Sequence, residues 1–258
     1  MRILLTFWLT VIFSILAGNV SALILLIEGF EGDLKQWGLE KCCSHSITIS
    51  SDESREGEQS LKVVQRLTDE GDIGGVGNYR AEVKTTTPME KGQQYWVGFS
   101  VKPNQISNTR TILFQFHQKP DPGQEWGSPP YYLYIENGKF LLRQFVIYDL
   151  QDLGEVESDQ WTDFVINVKW STNGQDDGCM KVWRDGELVF TMNGANTYDE
   201  NVRGQKGPHI KFGAYTGKQP SRTVVYFDQF KFADSNASYT EVSPSNEDNT
   251  VEIPSPCI

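Results

Sequence analysis

The chain has 258 residues, a formal net charge of −11 and 38% hydrophobic residues. A surface with this excess of acid repels nucleic acid and anionic membranes at long range, so neither is an expected partner. The length suits one sizeable β-rich domain behind a short N-terminal segment.

The first 22 residues have the layout of a secretory signal. A single basic residue, Arg2, precedes an apolar run, which ends in Val20-Ser21-Ala22. No later apolar run approaches the ~18 residues of a membrane span. We therefore predict a signal peptide over residues 1–22 and a secreted, extracellular protein, with an uncleaved N-terminal anchor as the alternative.

From residue 24 to about residue 233 the chain consists of short alternating runs broken by turn residues. The predicted strands are LKVVQRL (61–67), YRAEVKT (79–85), YWVGFSVKP (95–103), TILFQFHQ (111–118), YYLYIE (131–136), KFLLRQF (139–145), WTDFVINVKW (161–170), CMKVWRD (179–185), ELVFTM (187–192), HIKFGAYTG (209–217) and TVVYFDQFKFA (223–233). Asn137-Gly138 and Asp185-Gly186 each separate two of these runs, which is a strong hairpin signal. The pattern predicts an all-β domain over residues 23–234, a two-sheet antiparallel sandwich of jelly-roll type.

After Asp234 the composition becomes polar and rich in proline, which predicts a C-terminal tail over residues 235–258 held only at Cys257. Four cysteines in an exported chain predict two disulfides, and the lack of a C-x-x-C pair argues against structural zinc. A bond between neighbours Cys42 and Cys43 would close a strained ring. We therefore expect each of them to pair separately with Cys179 or Cys257, with free buried thiols as the alternative.

Three predicted strands carry an unusual set of polar side chains on one face. Because strand side chains alternate between faces, the sets are Arg80, Glu82 and Lys84; Gln115 and His117; and His209, Lys211, Gly213 and Tyr215. The solvated face of one antiparallel sheet would explain the alternation without any chemistry. The mixture of His, Tyr, Arg, Gln and Lys is less usual there, and Arg143 adds another cation. The pattern predicts a polar, partly basic surface.

The segments NYRAEVK, QFHQ and GPHIKFGAYTG occur in this order, and through them the chain resembles the jelly-roll polysaccharide lyases from about residue 28 to residue 233. Alginate-cleaving members carry R-x-E-L-R, Q-I-H and Y-x-K-A-G-x-Y. The connecting segments YWVGFSVKP, WTDFVINVKW, VWRDGELV and GANTY resemble the glucuronan lyase and heparin lyase I branch (family 20-like) more closely. The departures from the alginate motifs are Val83, Lys84, Phe116 and Thr216-Gly217.

The resemblance implies β-elimination: a base removes the proton on C5 of a uronic acid, the bond to O4 breaks, and an unsaturated uronate remains at the new non-reducing end. Arg80 and Gln115 would hold the carboxylate by charge-assisted hydrogen bonds. His117 is the expected base and Tyr215 the expected acid, or Tyr215 takes both roles. The expected substrate-binding residues are Lys211, Arg143 and Lys84.

Catalysis requires no cofactor in this interpretation, but a structural calcium ion is a further prediction. Glu28 and Glu31 lie near the first strand and Asp228 lies in the last, so their carboxylates could meet where the terminal strands pair. His209 has the parity of the site, but it lies ~7 Å from Lys211 towards the sheet edge. We therefore expect it at the surface.

Two other function classes stay open. A glycoside hydrolase needs two carboxyls facing across one bond, and no E-x-D-x-x-E strand is present. A carbohydrate-binding module on the same fold would use stacking surfaces, which six tryptophans offer: Trp37, Trp96, Trp126, Trp161, Trp170 and Trp183. Binding alone has no use for His117 and Tyr215 together. We therefore predict a monomeric lyase that acts on an anionic polysaccharide, glucuronan first.

Overall fold

The computed structural model describes residues 22–69, 79–106, 110–146, 149–172, 174–175, 177–216, 222–244 and 255–257. The predicted signal peptide lies outside these residues, apart from its last one. Among the described residues, no helix has the length and apolar character needed to cross a membrane.

The described residues form fifteen strands and one short helix. In chain order they are β1 (Ile24–Glu28), β2 (Gly38–Lys41), β3 (Ile47–Ser50), β4 (Ser60–Gln65), β5 (Tyr79–Lys84), β6 (Gln94–Gln105), β7 (Thr111–His117), β8 (Tyr131–Glu136), β9 (Lys139–Gln144), β10 (Asp149–Glu155), β11 (Thr162–Lys169), β12 (Cys179–Arg184), β13 (Glu187–Asn193), β14 (His209–Thr216), β15 (Thr223–Asp234) and α1 (Tyr239–Val242). Every run predicted as a strand forms one. Strands β1, β2, β3 and β10 are not among the predicted runs; β2 and β3 are only four residues long, and β10 is mostly polar.

The strands form two antiparallel sheets, which confirms the predicted all-β sandwich. One sheet has the order β13-β12-β11-β6-β15-β4-β3, with β1 also pairing with β15, and the other has the order β10-β9-β8-β7-β14-β5-β2. The main core lies between the sheets. Phe99 of β6 and Phe114 of β7 stack there with ring centroids 4.7 Å apart. Burial of each such ring contributes about 1.5–3 kcal/mol.

Both predicted hairpins have the turn conformation that their sequences indicate. Asn137 and Gly138, between β8 and β9, have φ values of 53° and 75°. Asp185 and Gly186, between β12 and β13, have φ values of 47° and 86°. Positive φ at both central residues is the type I′ turn, whose twist matches that of the flanking strands.

The C-terminal tail is held by more than Cys257. Helix α1 packs Tyr239 and Val242 against Trp96 and Trp183 on the outer face of the larger sheet, and the Tyr239 and Trp183 rings are 5.6 Å apart. Gly98 permits this approach, because a Cβ there would overlap the carbonyl oxygen of Val242. The apolar positions of one helical turn explain a contact that overall composition did not predict.

The predicted disulfide pairing is wrong. Cys42 bonds to its neighbour Cys43, and Cys179 bonds to Cys257. The reason is the strand order: Cys42 and Cys43 lie between β2 and β3, at one edge of the sandwich, whereas Cys179 begins β12, near the other edge. Five strand spacings separate β3 from β12, or about 24 Å at about 4.8 Å each. No disulfide spans that distance.

Candidate active site

Strand register brings the predicted polar residues together on the smaller sheet. In the β5–β14 pairing, Arg80 lies opposite Tyr215 and Lys84 opposite Lys211. In the β14–β7 pairing, Lys211 lies opposite Gln115 and His209 opposite His117. The intervening side chains, Ala81, Val83, Phe114, Phe116, Ile210, Phe212 and Ala214, belong to the core. The polar set therefore points away from the core, on what we call the site face.

A bulge in β14 sets the position of Tyr215. The register with β7 shifts between Phe212 and Tyr215. Gly213 lies in this interval with a φ of 147°, and a Cβ there would overlap the backbone carbonyl of Ala81. Only glycine adopts this conformation at such a close strand contact without strain.

Glu40 binds three cations of the site. Its carboxylate accepts hydrogen bonds from Arg80 Nη1 at 2.9 Å, from Lys84 Nζ at 2.8 Å and from Lys211 Nζ at 3.1 and 2.9 Å. Burial alone would raise the pKa of Glu40, but the hydrogen bonds from Lys84, Lys211 and Arg80 hold it well below its ordinary value. Glu40 is therefore ionised and fixes three cations in one place.

A second acid, Glu82, lies beneath the same cations. It is fully buried, accepts a hydrogen bond from Gln115 Nε2 and lies 3.4 Å from Arg80 Nε. Burial raises the pKa of Glu82 against the opposing charges of Arg80 and Lys211. Gln115 itself is buried, so the bond to Glu82 fixes which way its amide faces.

Tyr215 packs directly against the guanidinium of Arg80. The Arg80 Cζ atom lies 4.1 Å from the centroid of the phenol ring, within the range of a cation–π contact. Tyr215 is partly exposed, and the Arg80 side chain, also partly exposed, is held by Glu40. A ligand on the site face can therefore reach the phenol while the cation beside it stays in place.

His117 lies farther along the same face. Its ring is buried, with the His209 ring 5.5 Å away and the Trp126 ring 5.6 Å away, and its Nδ1 has no hydrogen-bond partner among the residues that the structure describes. Burial, together with the charges of Lys211, His209 and Arg80, lowers the pKa of His117 to about 3. Burial and the Lys211 charge likewise lower the pKa of His209 to about 4. His209 is partly exposed and forms part of the site wall.

His117 and Tyr215 lie at different levels along β14. His117 is opposite His209, six residues before Tyr215 on β14, and the bulge at Gly213 shortens the backbone path between the two levels. The charge of Arg80, which packs on Tyr215, adds to the burial that lowers the pKa of His117, so one cation acts on both side chains. Arg80, Lys84, Gln115, Lys211 and Tyr215 form one cluster, and His117 flanks it.

Arg143 is not in this cluster. It lies on β9, two strands beyond β7, which is about 10 Å away at about 4.8 Å per spacing. There it packs over the Phe145 ring and lies opposite Tyr132. Tyr132, Tyr134 and Arg110 make further ring and cation contacts beside it. Arg143 thus belongs to a neighbouring aromatic patch of the same sheet.

Sequence reasoning missed Glu40 and did not assign a role to Glu82. Glu40 lies on a four-residue edge strand, and its direct neighbour Leu39 is the more exposed of the two. Local polarity therefore indicated the opposite orientation. The signal that could have found Glu40 is a surplus of three cations on β5 and β14, which needs a buried counter-charge.

The tryptophans offer less stacking surface than expected. Trp37, Trp96, Trp170 and Trp183 are buried, whereas Trp126 is 66% exposed. Trp126 alone of the described set lies both exposed and beside the catalytic candidates. Interior packing explains most of the aromatic content.

The proposed calcium ligands do not gather as a set of three in the described residues. Glu28 accepts hydrogen bonds from Phe30 N, Gln36 and Trp37. The carboxylate oxygens of Glu28, Glu31 and Asp228 do not all lie within 4.8 Å of one another. Asp228 and Glu31 lie closer together: burial raises the pKa of Asp228 to about 6, and the Glu31 charge adds to this. Both carboxylates accept hydrogen bonds from backbone N–H groups. Calcium binding stays a prediction, testable by comparing melting temperatures in calcium and in EDTA.

Comparison with solved structures identifies several with the same fold. The endo-β-1,4-glucuronan lyase from the fungus Trichoderma reesei superposes with a TM-score of 0.65 at 20% identity, covering 83% of this chain and 96% of that one. The family 7 alginate lyase A1-II′ gives a TM-score of 0.60 at 14% identity, covering 82% and 100%. The cellulose-induced protein Cip1 gives a TM-score of 0.56 at 12% identity, covering 80% of this chain and 96% of that one. At these identities the likeness shows the fold.

Sequence comparison identifies the family. No curated protein matches the chain. A family model described as polysaccharide lyase matches residues 30–231, which is most of the chain and includes every residue of the cluster around Glu40. The chain therefore belongs to the polysaccharide lyase family and is a polysaccharide lyase.

Proposed function

We propose that this protein is a secreted lyase that cleaves a uronic-acid polysaccharide, glucuronan first, by β-elimination. The observation that carries the proposal is the cluster of Arg80, Lys84 and Lys211 around one carboxylate, with a phenol packed on the arginine. The chain as a whole carries −11. A concentration of cations in so acidic a protein suits an anionic substrate.

The first task of the site is to hold the carboxylate of the sugar that loses its C5 proton. Removal of that proton adds a second negative charge next to the carboxylate, so fixed donors must stabilise the intermediate. Arg80 and Gln115 supply these donors, and Lys211 adds a charge in the same row. Glu40 and Glu82 hold the donors in position before the substrate arrives.

The second task is proton delivery to the departing O4. Because burial and neighbouring cations lower the pKa of His117 to about 3, its imidazole is neutral near pH 7 and is a poor proton donor. Tyr215 is therefore the acid. The base is either His117 or Tyr215 itself after ionisation, and a pKa of about 3 makes His117 a weak base, which favours Tyr215.

Neither alternative function has comparable support. The site holds two carboxylates, Glu40 and Glu82, but both are buried and bonded to donors, so they do not face each other across an open space as a hydrolase requires. A binding module would use exposed aromatic surface, and most of the tryptophans lie in the interior. Secretion is supported by the predicted signal peptide and by the two disulfides.

The experiment that tests the function is a substrate panel. The purified protein is incubated with β-1,4-glucuronan, alginate, heparin and a neutral β-1,4-glucan, and ultraviolet absorbance reports the new C4–C5 double bond. We expect the largest rate on glucuronan and none on the neutral glucan. Absence of unsaturated product from every uronic-acid polymer would refute the proposal.

A further inference from the structure

A groove leads away from the cluster on the side of His209. It has a volume of about 740 Å³, and the lining residues that matter here are Lys84, Lys119, Asp121, Trp126, Lys206 and His209. Lys84 also bonds Glu40, and Trp126 and His209 both contact the His117 ring. The groove is therefore continuous with the candidate active site, and we call it the side groove.

The side groove has a surplus of positive charge, since Lys119 and Lys206 outnumber the one acid of its lining, Asp121. Lys119 and Lys206 are both exposed, and neither ammonium forms an ion pair or hydrogen bond within the described part of the chain. The acid in the lining, Asp121, accepts the backbone N–H of Gln205 through Oδ2 at 2.9 Å and pairs with neither lysine among the described residues. In a chain with a net charge of −11, two unpaired lysines in one groove favour an anionic occupant.

Trp126 gives the side groove an apolar surface. It has the highest exposed fraction, 66%, of the large hydrophobic side chains in the described residues. An exposed indole in the same groove as two cations offers a flat apolar surface next to positive charge. A sugar ring stacks on an indole through its apolar face while its carboxylate reaches the neighbouring lysines.

Two loops that form the wall of the side groove are fixed to each other. Gln118 Nε2 donates to the carbonyl oxygens of Gly204 at 3.2 Å and Lys206 at 3.1 Å. Arg203 Nη1 donates to the carbonyl oxygen of Ser128 at 2.6 Å. The backbones next to Lys119, Trp126 and Lys206 are thus held before any ligand binds, which lowers the entropic cost of binding.

We propose that the side groove is a second sugar-binding subsite, which takes a uronic acid of the same polymer away from the bond that is cleaved. Lys119 and Lys206 bind its carboxylate and Trp126 stacks on its ring. The inference rests on the proposed function for the identity of the polymer. It adds that affinity for long chains is set by residues outside the catalytic cluster.

The kinetic test uses Lys119→Gln/Lys206→Gln and Trp126→Ala, assayed on long glucuronan and on the shortest oligosaccharide that the native protein cleaves. We expect each variant to raise KM on the long polymer about tenfold with kcat nearly unchanged, since the lost contacts are equal in ground and transition states. The effect should be absent on the shortest oligosaccharide. An unchanged KM on the long polymer would overturn the proposal.

A matched control separates local charge from total charge. Lys35→Gln/Lys139→Gln also removes two exposed lysines, but these pair with Asp33 and Asp152 away from the groove. We expect no change in KM. If the control raises KM as much as Lys119→Gln/Lys206→Gln does, net charge explains the effect and the subsite is refuted.

A binding measurement distinguishes failure of the subsite from failure of the proposed reaction. Migration in gels that contain glucuronan or neutral β-1,4-glucan is compared for the native protein and the groove variants. We expect glucuronan to retard the native protein, and the groove variants less, with no retardation by the glucan. Retardation without cleavage would refute the reaction and keep the subsite. Cleavage with equal retardation of all variants would refute the subsite. If the protein shows no cleavage and no retardation, both proposals are refuted.

Discussion

The ammonium of Lys211 lies 2.9 Å from the carboxylate of Glu40, and both side chains are almost completely buried. This pair joins β14 to the edge strand β2 across the width of β5. It therefore couples an edge of the sheet to the strand that carries Tyr215. The same carboxylate also holds Arg80 and Lys84, so one acid organises the cationic side of the site.

Glu40→Gln should weaken both stability and activity. The substitution leaves the buried Lys211 ammonium without a counter-charge, and loss of one partner of a buried pair costs about 3–5 kcal/mol. Urea unfolding and turnover measure the two effects, and kcat should fall because Arg80 loses its anchor. The control is Asp152→Asn, which breaks an exposed pair with Lys139 and should change little. Equal stability of the two variants would contradict the role given to Glu40.

Acid should destabilise the protein in two steps. His117 and His209 have pKa values of about 3 and about 4 in the folded state, below the ordinary 6.5. The unfolded chain then binds more protons, so their contribution is complete above pH 6.5 and is lost as pH falls, by up to about 1.4 kcal/mol per unit for each histidine. The pKa of Glu40 is also lowered, so its contribution is lost below its ordinary value of 4.5.

Urea unfolding at pH 7 and pH 5 tests the first step. Asp228 acts in the opposite direction. Its pKa is raised to about 6, so protonation of Asp228 stabilises the folded protein as pH falls. The variant His117→Asn/His209→Asn keeps Asp228 and isolates the histidines. It should lose less stability than the native protein between the two pH values. An identical loss would show that the histidines are not buried in the neutral form.

The fold was predictable because its information is local. Alternation and the two hairpin turns indicated the strands that form the sandwich, and parity placed Arg80, Gln115, Lys211 and Tyr215 on one face. Glu40 was not predictable, since its burial depends on cations contributed by β5 and β14. The Cys42–Cys43 bond depends on strand order, which periodicity does not determine.

The pH dependence of kcat/KM should show no acid limb from His117. The parameter reports groups of the free enzyme, in which His117 is already neutral well below its ordinary pKa of 6.5. We therefore expect kcat/KM to stay level through pH 6.5 on the acid side. An inflection near pH 6.5 that disappears in His117→Asn would contradict the buried, neutral state of this ring.

Salt should not simply inhibit the enzyme. The protein has a net charge of −11 and its polymer substrate is also anionic, so long-range repulsion opposes the encounter of the two. Modest salt screens this repulsion more than it screens the short, enclosed contacts with Arg80 and Lys211. Activity measured from about 10 mM to about 300 mM salt should therefore pass through a maximum. A rate that rises steadily as salt is removed would be inconsistent with this balance.

His117→Asn decides which group is the base. The variant keeps some hydrogen bonding but removes the imidazole. We expect a turnover loss below about tenfold, because a ring whose pKa is lowered to about 3 is a weak base, and this outcome assigns both proton transfers to Tyr215. A loss as large as that of Tyr215→Phe assigns proton abstraction to His117. Initial rates at saturating polymer, with binding checked by gel retardation, measure the difference.

The most direct test of the central claim is the turnover of Tyr215→Phe on a uronic-acid polymer that the native protein cleaves, followed by the absorbance of the unsaturated product. The change removes one hydroxyl and keeps the ring against Arg80, so fold and polymer binding should survive. Loss of the group that protonates O4 should lower kcat by about 100-fold or more. Turnover close to that of the native protein would contradict the proposed mechanism.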